Sequence, residues 1–91
     1  HHKDELDSGL ERYFDLNRLA CEKVARGGLV VTCSCSGSLS EERFLRTLAQ
    51  AAAAARRDAR VLFVRGAGAD HPVALECPET RYLKVVVLQV R

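Results

Sequence analysis

The stretch Gly27-Gly28-Leu29-Val30-Val31-Thr32-Cys33-Ser34-Cys35-Ser36-Gly37 decides how this chain folds. Its centre is a run of aliphatic and β-branched residues, which is typical of a strand buried on both faces in a parallel sheet under helices. In such sheets, ligands gather beyond the carboxyl ends of the strands. We therefore expect a strand over residues 29–32 and a functional loop over residues 34–37.

The length and composition are those of one small soluble domain or of a piece of a larger one. The chain has 91 residues, an apolar fraction of 47% and a net charge of +2. No apolar run approaches the length of a membrane span or the form of a secretory signal, so we predict no membrane partner and a cytoplasmic location. A charge this small neither requires nor excludes nucleic acid.

Four cysteines raise the question of disulfides and of metal. Helix and strand patterns fill most of the length, unlike in loop-rich secreted proteins, so we expect reduced thiols. A zinc site built from Cys33, Cys35, His71 and Cys77 would lack the paired spacing of known zinc sites. We therefore predict no metal.

A first helix is predicted over residues 7–26, where apolar side chains recur at helical spacing. Asp7 or Ser8 has the residue type of an N-cap, and Gly27 suits a left-handed helix end. Residues 1–6, which begin with two histidines, are set apart as a tag remnant or linker.

A second helix is predicted over residues 40–57. Ser38-Leu39-Ser40-Glu41 has the sequence form of a capping box at its start. The alanines at 51–55 favour helix and permit close packing against a sheet. Three arginines at the far end are predicted to lie at a solvated surface and complement the helix dipole rather than bind RNA: Arg56, Arg57 and Arg60.

Two further strands are predicted over residues 61–64 and 82–90, which are again rich in aliphatic and β-branched residues. The glycine-rich segment between them lacks the Lys-Ser/Thr of a phosphate-binding loop. Because no helix pattern separates these two strands, the last strand can return antiparallel. The predicted fold class is α/β, with three strands and two helices.

Five blocks of the sequence together resemble one known family. The blocks are Tyr13-x-x-Leu16-Asn17-x-x-Ala20, Gly27-Gly28-Leu29-Val30, Thr32-x-Ser34-Cys35-Ser36, Ala69-Asp70-His71-Pro72 and Cys77-Pro78-Glu79-x-x-Tyr82-Leu83-Lys84. Their order and spacing resemble the C-terminal third of the PUA-domain-bearing cytosine-C5 methyltransferases of ribosomal RNA. These class I enzymes use S-adenosylmethionine to methylate a cytosine of large-subunit ribosomal RNA.

The resemblance implies a fold and a domain assignment. Residues 7–91 would form the C-terminal portion of a class I, Rossmann-like catalytic domain, with the final antiparallel strand inserted between the other two. S-adenosylmethionine would be bound mainly by residues upstream of this chain, with no cofactor-binding residue here, and ribosomal RNA would be the partner of the full-length enzyme. The fragment alone is expected to be inactive.

The resemblance assigns the chemistry to Cys35. By the match, Cys35 rather than Cys33 is the catalytic nucleophile that adds to carbon 6 of cytosine. Cysteine suits this step because it is intrinsically nucleophilic and partly ionised near neutral pH. The residues by themselves leave a second interpretation open, in which Cys35 is a buried, inert thiol at a strand end.

Four polar residues are candidate substrate contacts, namely Ser34, Ser36, Asp70 and His71. The two serines can orient the loop or bond the base, and small residues in a tight turn explain them equally well. Asp70 and His71 can contact the flipped base or tune the thiol, or they can form a structural turn. Of the remaining residues, Cys21 and Cys77 are predicted to pack in the interior. Lys84 is predicted to be a solvated or rim charge, or a contact to an RNA phosphate.

The alternative to an enzyme is a small α/β interaction or oligomerisation module with structural cysteines. If the first strand normally pairs with an upstream neighbour, its edge is apolar and unpaired in this chain. The isolated chain is therefore expected to form a homo-oligomer or a strand-swapped dimer. A thiol redox role is disfavoured, because Cys33-x-Cys35 lacks the spacing of the thioredoxin-like motif.

Overall fold

The structure is a computed structural model, and it describes residues 2–66 and 83–91. Its elements are α1 (His2–Lys23), β1 (Leu29–Ser34), α2 (Glu41–Ala54), β2 (Ala59–Gly66) and β3 (Lys84–Val90). The strands lie in the order β1-β3-β2, and β3 is antiparallel to both neighbours. The predicted α/β class and the insertion of the last strand between the other two are therefore confirmed. None of the helices described here is long and apolar enough to cross a membrane.

Helix α1 is longer at its start and shorter at its end than predicted. It begins at His2, so an N-cap at Asp7 or Ser8 is wrong, because the residues before them contain no Gly or Pro to stop the helix. Whether residues 1–6 are a tag remnant or a linker stays a prediction. The helix ends at Lys23, and Gly27 lies in a separate turn closed by the Gly28 N–H donating to the Ala25 carbonyl at 2.8 Å.

Two glycines lead the chain from this turn into β1, and each is required for a different reason. Gly27 adopts a left-handed backbone with φ of 84°. A Cβ on Gly28 would lie 2.6 Å from Val24 Cγ2 and 2.9 Å from the Ala25 carbonyl oxygen. The Gly27 N–H donates to the Val90 carbonyl at 2.6 Å, and the Val90 N–H donates to Gly28 at 3.0 Å. The turn is thereby joined to the last residue of β3.

Helix α2 begins after Ser40, whose side chain accepts from the Arg43 N–H at 3.2 Å. The predicted capping box beginning at Ser38 is therefore wrong. The Ser38 N–H instead donates to the Ser36 hydroxyl at 3.3 Å, and Leu39 is buried, so the chain is still turning toward the core at that point.

Helix α2 ends three residues earlier than predicted because Arg56 adopts a left-handed conformation with φ of 58°. The Arg56 N–H donates to the Ala53 carbonyl and the Arg57 N–H to the Ala52 carbonyl, each at 3.0 Å. These two bonds form a Schellman motif, which satisfies carbonyls that the helix end leaves unpaired.

Arg57 is a structural link rather than a solvated charge, so that prediction is wrong for this residue. Its guanidinium donates to the carbonyls of Cys21 at 2.8 Å, Val24 at 3.0 Å and Arg91 at 2.9 Å. Cys21 lies in the last turn of α1, Val24 follows that helix, and Arg91 follows β3. The Arg57 side chain therefore joins the end of α1 and the end of β3 to the end of α2. Arg56 and Arg60 are exposed, as predicted.

The core lies between the two helices and one face of the sheet. Its buried apolar members are Cys21 on α1, Phe44, Leu48 and Ala52 on α2, Leu39 before α2, and Val30, Val86, Leu88 and Val90 on the sheet. These side chains alternate along β1 and β3, which is the pattern of a sheet covered on one side.

Neither helix covers the opposite face of the sheet, where the Arg65 guanidinium lies 4.8 Å from the centroid of the Phe63 ring, so the prediction of strands buried on both faces is wrong. Exposure reaches 55% for Leu29, 67% for Val31 and 43% for Phe63. We call this surface the open face. Its apolar members by register are Leu29, Val31, Cys33, Phe63, Val85 and Val87, and Arg65 and Gln89 lie on the same face. Both helices pack on the other side, so among residues 2–66 and 83–91 most of this surface has no covering layer.

We predict that Gly28→Ala lowers the free energy of unfolding by about 1–3 kcal/mol, because the new methyl group would overlap the Val24 side chain and the Ala25 carbonyl. Gly9→Ala is the matched control, since a Cβ there meets nothing within 4 Å and the residue lies within α1. The control is expected to be more stable by about 1 kcal/mol. Urea denaturation of both variants checks this, and equal stabilities would contradict it.

Candidate functional site at the end of strand β1

The candidate site lies at the end of the sheet where β1 and β2 finish and β3 begins. Ser34 is the last residue of β1 and pairs with Lys84, the first residue of β3, which also pairs with Gly66 at the end of β2. Cys35 follows Ser34 directly. The strand was predicted to end at Thr32, but it continues through Cys33 and Ser34, so only Cys35 of the two thiols lies beyond it.

The three described cysteines are free thiols in three different environments. Cys33 is exposed on the open face, opposite Val85. Cys35 is exposed beyond the end of β1. Cys21 is fully buried in the core, as predicted. Burial raises the pKa of the Cys21 thiol above its usual range, and the nearby charge of Arg57 offsets part of that rise.

The segment around Cys35 is held by hydrogen bonds on both sides. The buried Ser34 hydroxyl accepts from the Tyr13 phenol at 3.0 Å and from the Ser36 N–H at 3.2 Å. The Ser36 carbonyl accepts from Lys84 Nζ at 3.1 Å and from the Leu39 N–H at 3.4 Å. Lys84 is half-buried and bonded to the loop, so of its predicted alternatives the solvated charge is wrong, while the rim charge and the contact to an RNA phosphate stay predictions.

Sequence reasoning missed Tyr13 as part of this site. Tyr13 fitted the apolar pattern of α1, and it is packed against the core cluster. Its hydroxyl nevertheless reaches Ser34, which lies 21 residues further along the chain. A helical pattern identifies the buried face, but it does not identify the partner of a polar atom at the end of a buried side chain.

Three of the sequence-predicted residues, Asp70, His71 and Cys77, lie outside the described residues. The segment that contains them leaves β2 at Gly66 and enters β3 at Lys84. Both of those strand ends lie at the same end of the sheet as Cys35. The roles suggested for Asp70 and His71 stay predictions.

Metal and cofactor sites find no support in the part of the chain that the structure describes. Residues 2–66 and 83–91 bring together no group of three or more His, Cys, Asp or Glu side chains that would hold a metal ion. An apolar groove between α2 and β2 is lined mainly by leucine and alanine, with Arg57 and Asp58 at its end. The ends of β1 and β2 carry neither a glycine-rich turn nor a carboxylate in these ranges, so the described residues do not fit S-adenosylmethionine.

We predict that iodoacetamide modifies Cys33 and Cys35 of the folded chain at least about tenfold faster than Cys21, because the buried thiol reacts only after local opening. Mass spectrometry of the alkylated peptides checks this, with the urea-unfolded chain as control. Equal rates for all three thiols would contradict this prediction.

The raised pKa of Cys21 also predicts how the stability of the fold changes with pH. Above the ordinary thiol range the unfolded chain loses a proton that folded Cys21 retains, so stability falls as pH rises there, and less so in Cys21→Ala. Urea denaturation across this pH range checks the prediction, and an equal fall in stability in Cys21→Ala would contradict it.

No family model matches the chain, but curated proteins do. Ribosomal RNA large subunit methyltransferase I of Aeromonas salmonicida is 38% identical over 89 residues, which cover 98% of this chain and 22% of that protein. The protein of the same name from Shewanella frigidimarina is 34% identical over 88 residues, or 97% and 22% of the two chains. The one from Cronobacter sakazakii is 38% identical over 82 residues, or 90% and 21%. The chain therefore spans only 22% of the length of the first of these relatives. Over nearly its whole length, this chain is similar to one portion of ribosomal RNA large subunit methyltransferases.

Proposed function

We propose that this chain is the C-terminal portion of a methyltransferase that forms 5-methylcytosine in large-subunit ribosomal RNA, with Cys35 as its nucleophile. The observation that carries the proposal is the place of Cys35, a free and exposed thiol directly after the end of β1. Similarity to ribosomal RNA large subunit methyltransferase I over 98% of the chain supports the reaction class and the RNA partner.

The reaction requires a nucleophile because carbon 5 of cytosine does not attack a methyl donor unaided. The Cys35 thiolate adds to carbon 6, which forms the Sγ–C6 bond and makes carbon 5 electron-rich. Carbon 5 then takes the methyl group, whose bond to the sulfonium of the donor breaks and leaves a thioether. Carbon 5 next loses its proton to a base, and the electrons of that C–H bond form the C5–C6 double bond and expel the thiolate. Cys35 thus ends the cycle unchanged. An exposed thiol at a strand end is accessible to a base that has been flipped out of its stack.

The rest of the full-length protein completes the site in this proposal. S-adenosylmethionine supplies the methyl group, and residues outside the described ranges bind it. Ser36, Asp70 and His71 are proposed contacts to the RNA. Ser34 has its hydroxyl buried and engaged in two hydrogen bonds, so its part is to orient the loop. The 91-residue chain alone is expected to be inactive.

We predict that Cys35→Ser in the full-length protein abolishes methylation of large-subunit ribosomal RNA, because an alcohol is far less ionised than a thiol and does not form the adduct. Cys33→Ser is the matched control, since it makes the same change two residues away on the open face. That variant is expected to retain most of the activity. Transfer of radiolabelled methyl groups to unmodified RNA measures both.

The opposite pattern would contradict the assignment. Activity retained in Cys35→Ser, or lost equally in Cys33→Ser, would place the nucleophile elsewhere. Circular dichroism of both variants distinguishes loss of chemistry from loss of fold.

A second candidate function is a module that works by self-association, and the open face favours it. An exposed apolar surface that includes Leu29, Val31 and Phe63 is unusual on a monomer. The outer edge of β1 adds to this, since β1 pairs only with β3 among the described strands. A second copy of the chain pairing along β1 would cover that edge, and a copy packed against the open face would cover the apolar surface.

We predict that the isolated chain sediments as a dimer or larger species at micromolar concentration. Val31→Lys is expected to shift it toward monomer, because a charge on an edge strand opposes strand pairing. Leu16→Lys, at 66% exposure on α1, is the control and is expected to leave the association unchanged. A monomer in the unmodified chain would contradict self-association. If the isolated chain associates and the full-length protein is a monomer, the open face is an internal surface of the enzyme.

A further inference from the structure

Cys35 is bracketed by a hydrogen bond between its two neighbours in sequence. The Ser34 hydroxyl accepts from the Ser36 N–H at 3.2 Å, which closes a tight turn around Cys35. The same hydroxyl accepts from the Tyr13 phenol at 3.0 Å. Ser34 is only 2% exposed, so losing a partner there incurs the desolvation cost of a buried polar group. The bond from Tyr13 therefore anchors the turn.

Tyr13 is itself fixed by the core. Its ring packs edge-on against Phe44 of α2, with ring centroids 5.6 Å apart and planes inclined at 65°. Phe44 is fully buried. One helical turn further along, the Asn17 side chain donates to the Tyr13 carbonyl at 2.7 Å, and Asn17 is also buried. These contacts hold the Tyr13 hydroxyl at a set position on the amino-terminal side of Cys35.

Lys84 holds the other side of the thiol. Its Nζ donates to the Ser36 carbonyl at 3.1 Å, and its Cα pairs with Ser34 in the β1–β3 ladder. One residue at the start of β3 is thus tied to both neighbours of Cys35. The exposed thiol therefore lies between two residues that are held from different elements, Ser34 by Tyr13 of α1 and Ser36 by Lys84 of β3.

We propose that Tyr13 and Lys84 are positioning residues for Cys35, acting through Ser34 and Ser36 without touching the RNA. The inference rests on the proposed function, because a thiol needs a set orientation only if it attacks a set atom. Orientation of reacting groups contributes strongly to rate, and small displacements of the nucleophile are costly. Removing either anchor lets the Ser34-Cys35-Ser36 segment move and slows the addition step more than it weakens RNA binding.

The test compares kcat and KM for unmodified large-subunit ribosomal RNA in full-length variants. Tyr13→Phe removes only the hydroxyl and keeps the ring against Phe44. Lys84→Met removes the ammonium and keeps the chain length. Each is expected to lower kcat about fivefold, the effect of one net hydrogen bond, with KM unchanged. Lys84→Arg keeps a donor at this position and is expected to retain most of the kcat of the unmodified protein. Lys23→Met, which makes the same change as Lys84→Met at an exposed position on α1, is the control.

Amide exchange of the 91-residue chain gives a readout that does not require activity. The Ser36 N–H is bonded to the Ser34 hydroxyl, so Tyr13→Phe is expected to speed its exchange about fivefold while leaving exchange within α2 unchanged. Faster exchange throughout the chain would indicate general destabilisation and would overturn a positioning role.

The outcomes separate this inference from the proposed function. If Cys35→Ser is inactive while Tyr13→Phe and Lys84→Met keep full kcat, the positioning role is wrong and the nucleophile stands. If Cys35→Ser is active, the proposed function fails and this inference fails with it. If the two variants raise KM and leave kcat unchanged, Tyr13 and Lys84 serve RNA binding instead, which also overturns the inference.

Discussion

Strand β3 pairs with both β1 and β2, and this central position holds the two ends of the sheet together. The last strand lies in the middle of the sheet and is antiparallel to both neighbours. This arrangement brings Lys84 opposite Ser34 at one end and joins Val90 to the Gly27-Gly28 turn at the other. The carboxyl ends of β1 and β2 are thereby held beside the start of β3. The loop that carries Cys35 is built on that meeting point.

Covering the sheet on one side divides the chain into a built core and an apolar surface. Phe44 and Leu48 of α2 pack with Cys21 of α1 over one face, and Arg57 ties the ends of both helices and of the sheet together. The open face is also largely apolar, and neither helix covers it, although the Arg65 guanidinium lies over the Phe63 ring there.

Local chemistry in the sequence predicted the elements, and long-range contacts decided the details. The β-branched runs located all three strands, and the motif resemblance gave the correct strand order. The alternation of burial in β1 was not predictable, because the run Leu29-Val30-Val31 does not show which side lacks a covering layer. The end of α2 was misplaced because a left-handed Arg56 has no signature in the sequence, unlike a glycine.

The candidate site divides in the same way. Cys35 was proposed as the nucleophile from the sequence, because the residues around it resemble a family motif. The anchors were not, because the Tyr13 hydroxyl and the Lys84 ammonium meet their partners only after α1 and β3 have packed beside the loop. Both residues had ordinary interpretations in the sequence, one as a core aromatic and the other as a surface charge. The polar ends of long side chains are where reasoning from pattern alone is weakest.

The most direct test of the central claim is to trap the bond between Cys35 and a cytosine. An RNA transcript made with 5-fluorocytidine carries fluorine at carbon 5 in place of the proton that must leave. Because a base does not remove the fluorine, the thiolate is not expelled and the Sγ–C6 bond persists after methyl transfer. Mass spectrometry of the digested full-length protein then locates the attached nucleotide. We predict that the nucleotide is attached to the peptide that contains Cys35, at the Cys35 sulfur. Attachment at Cys33 or at another residue, or continued methylation with no adduct, would contradict the account.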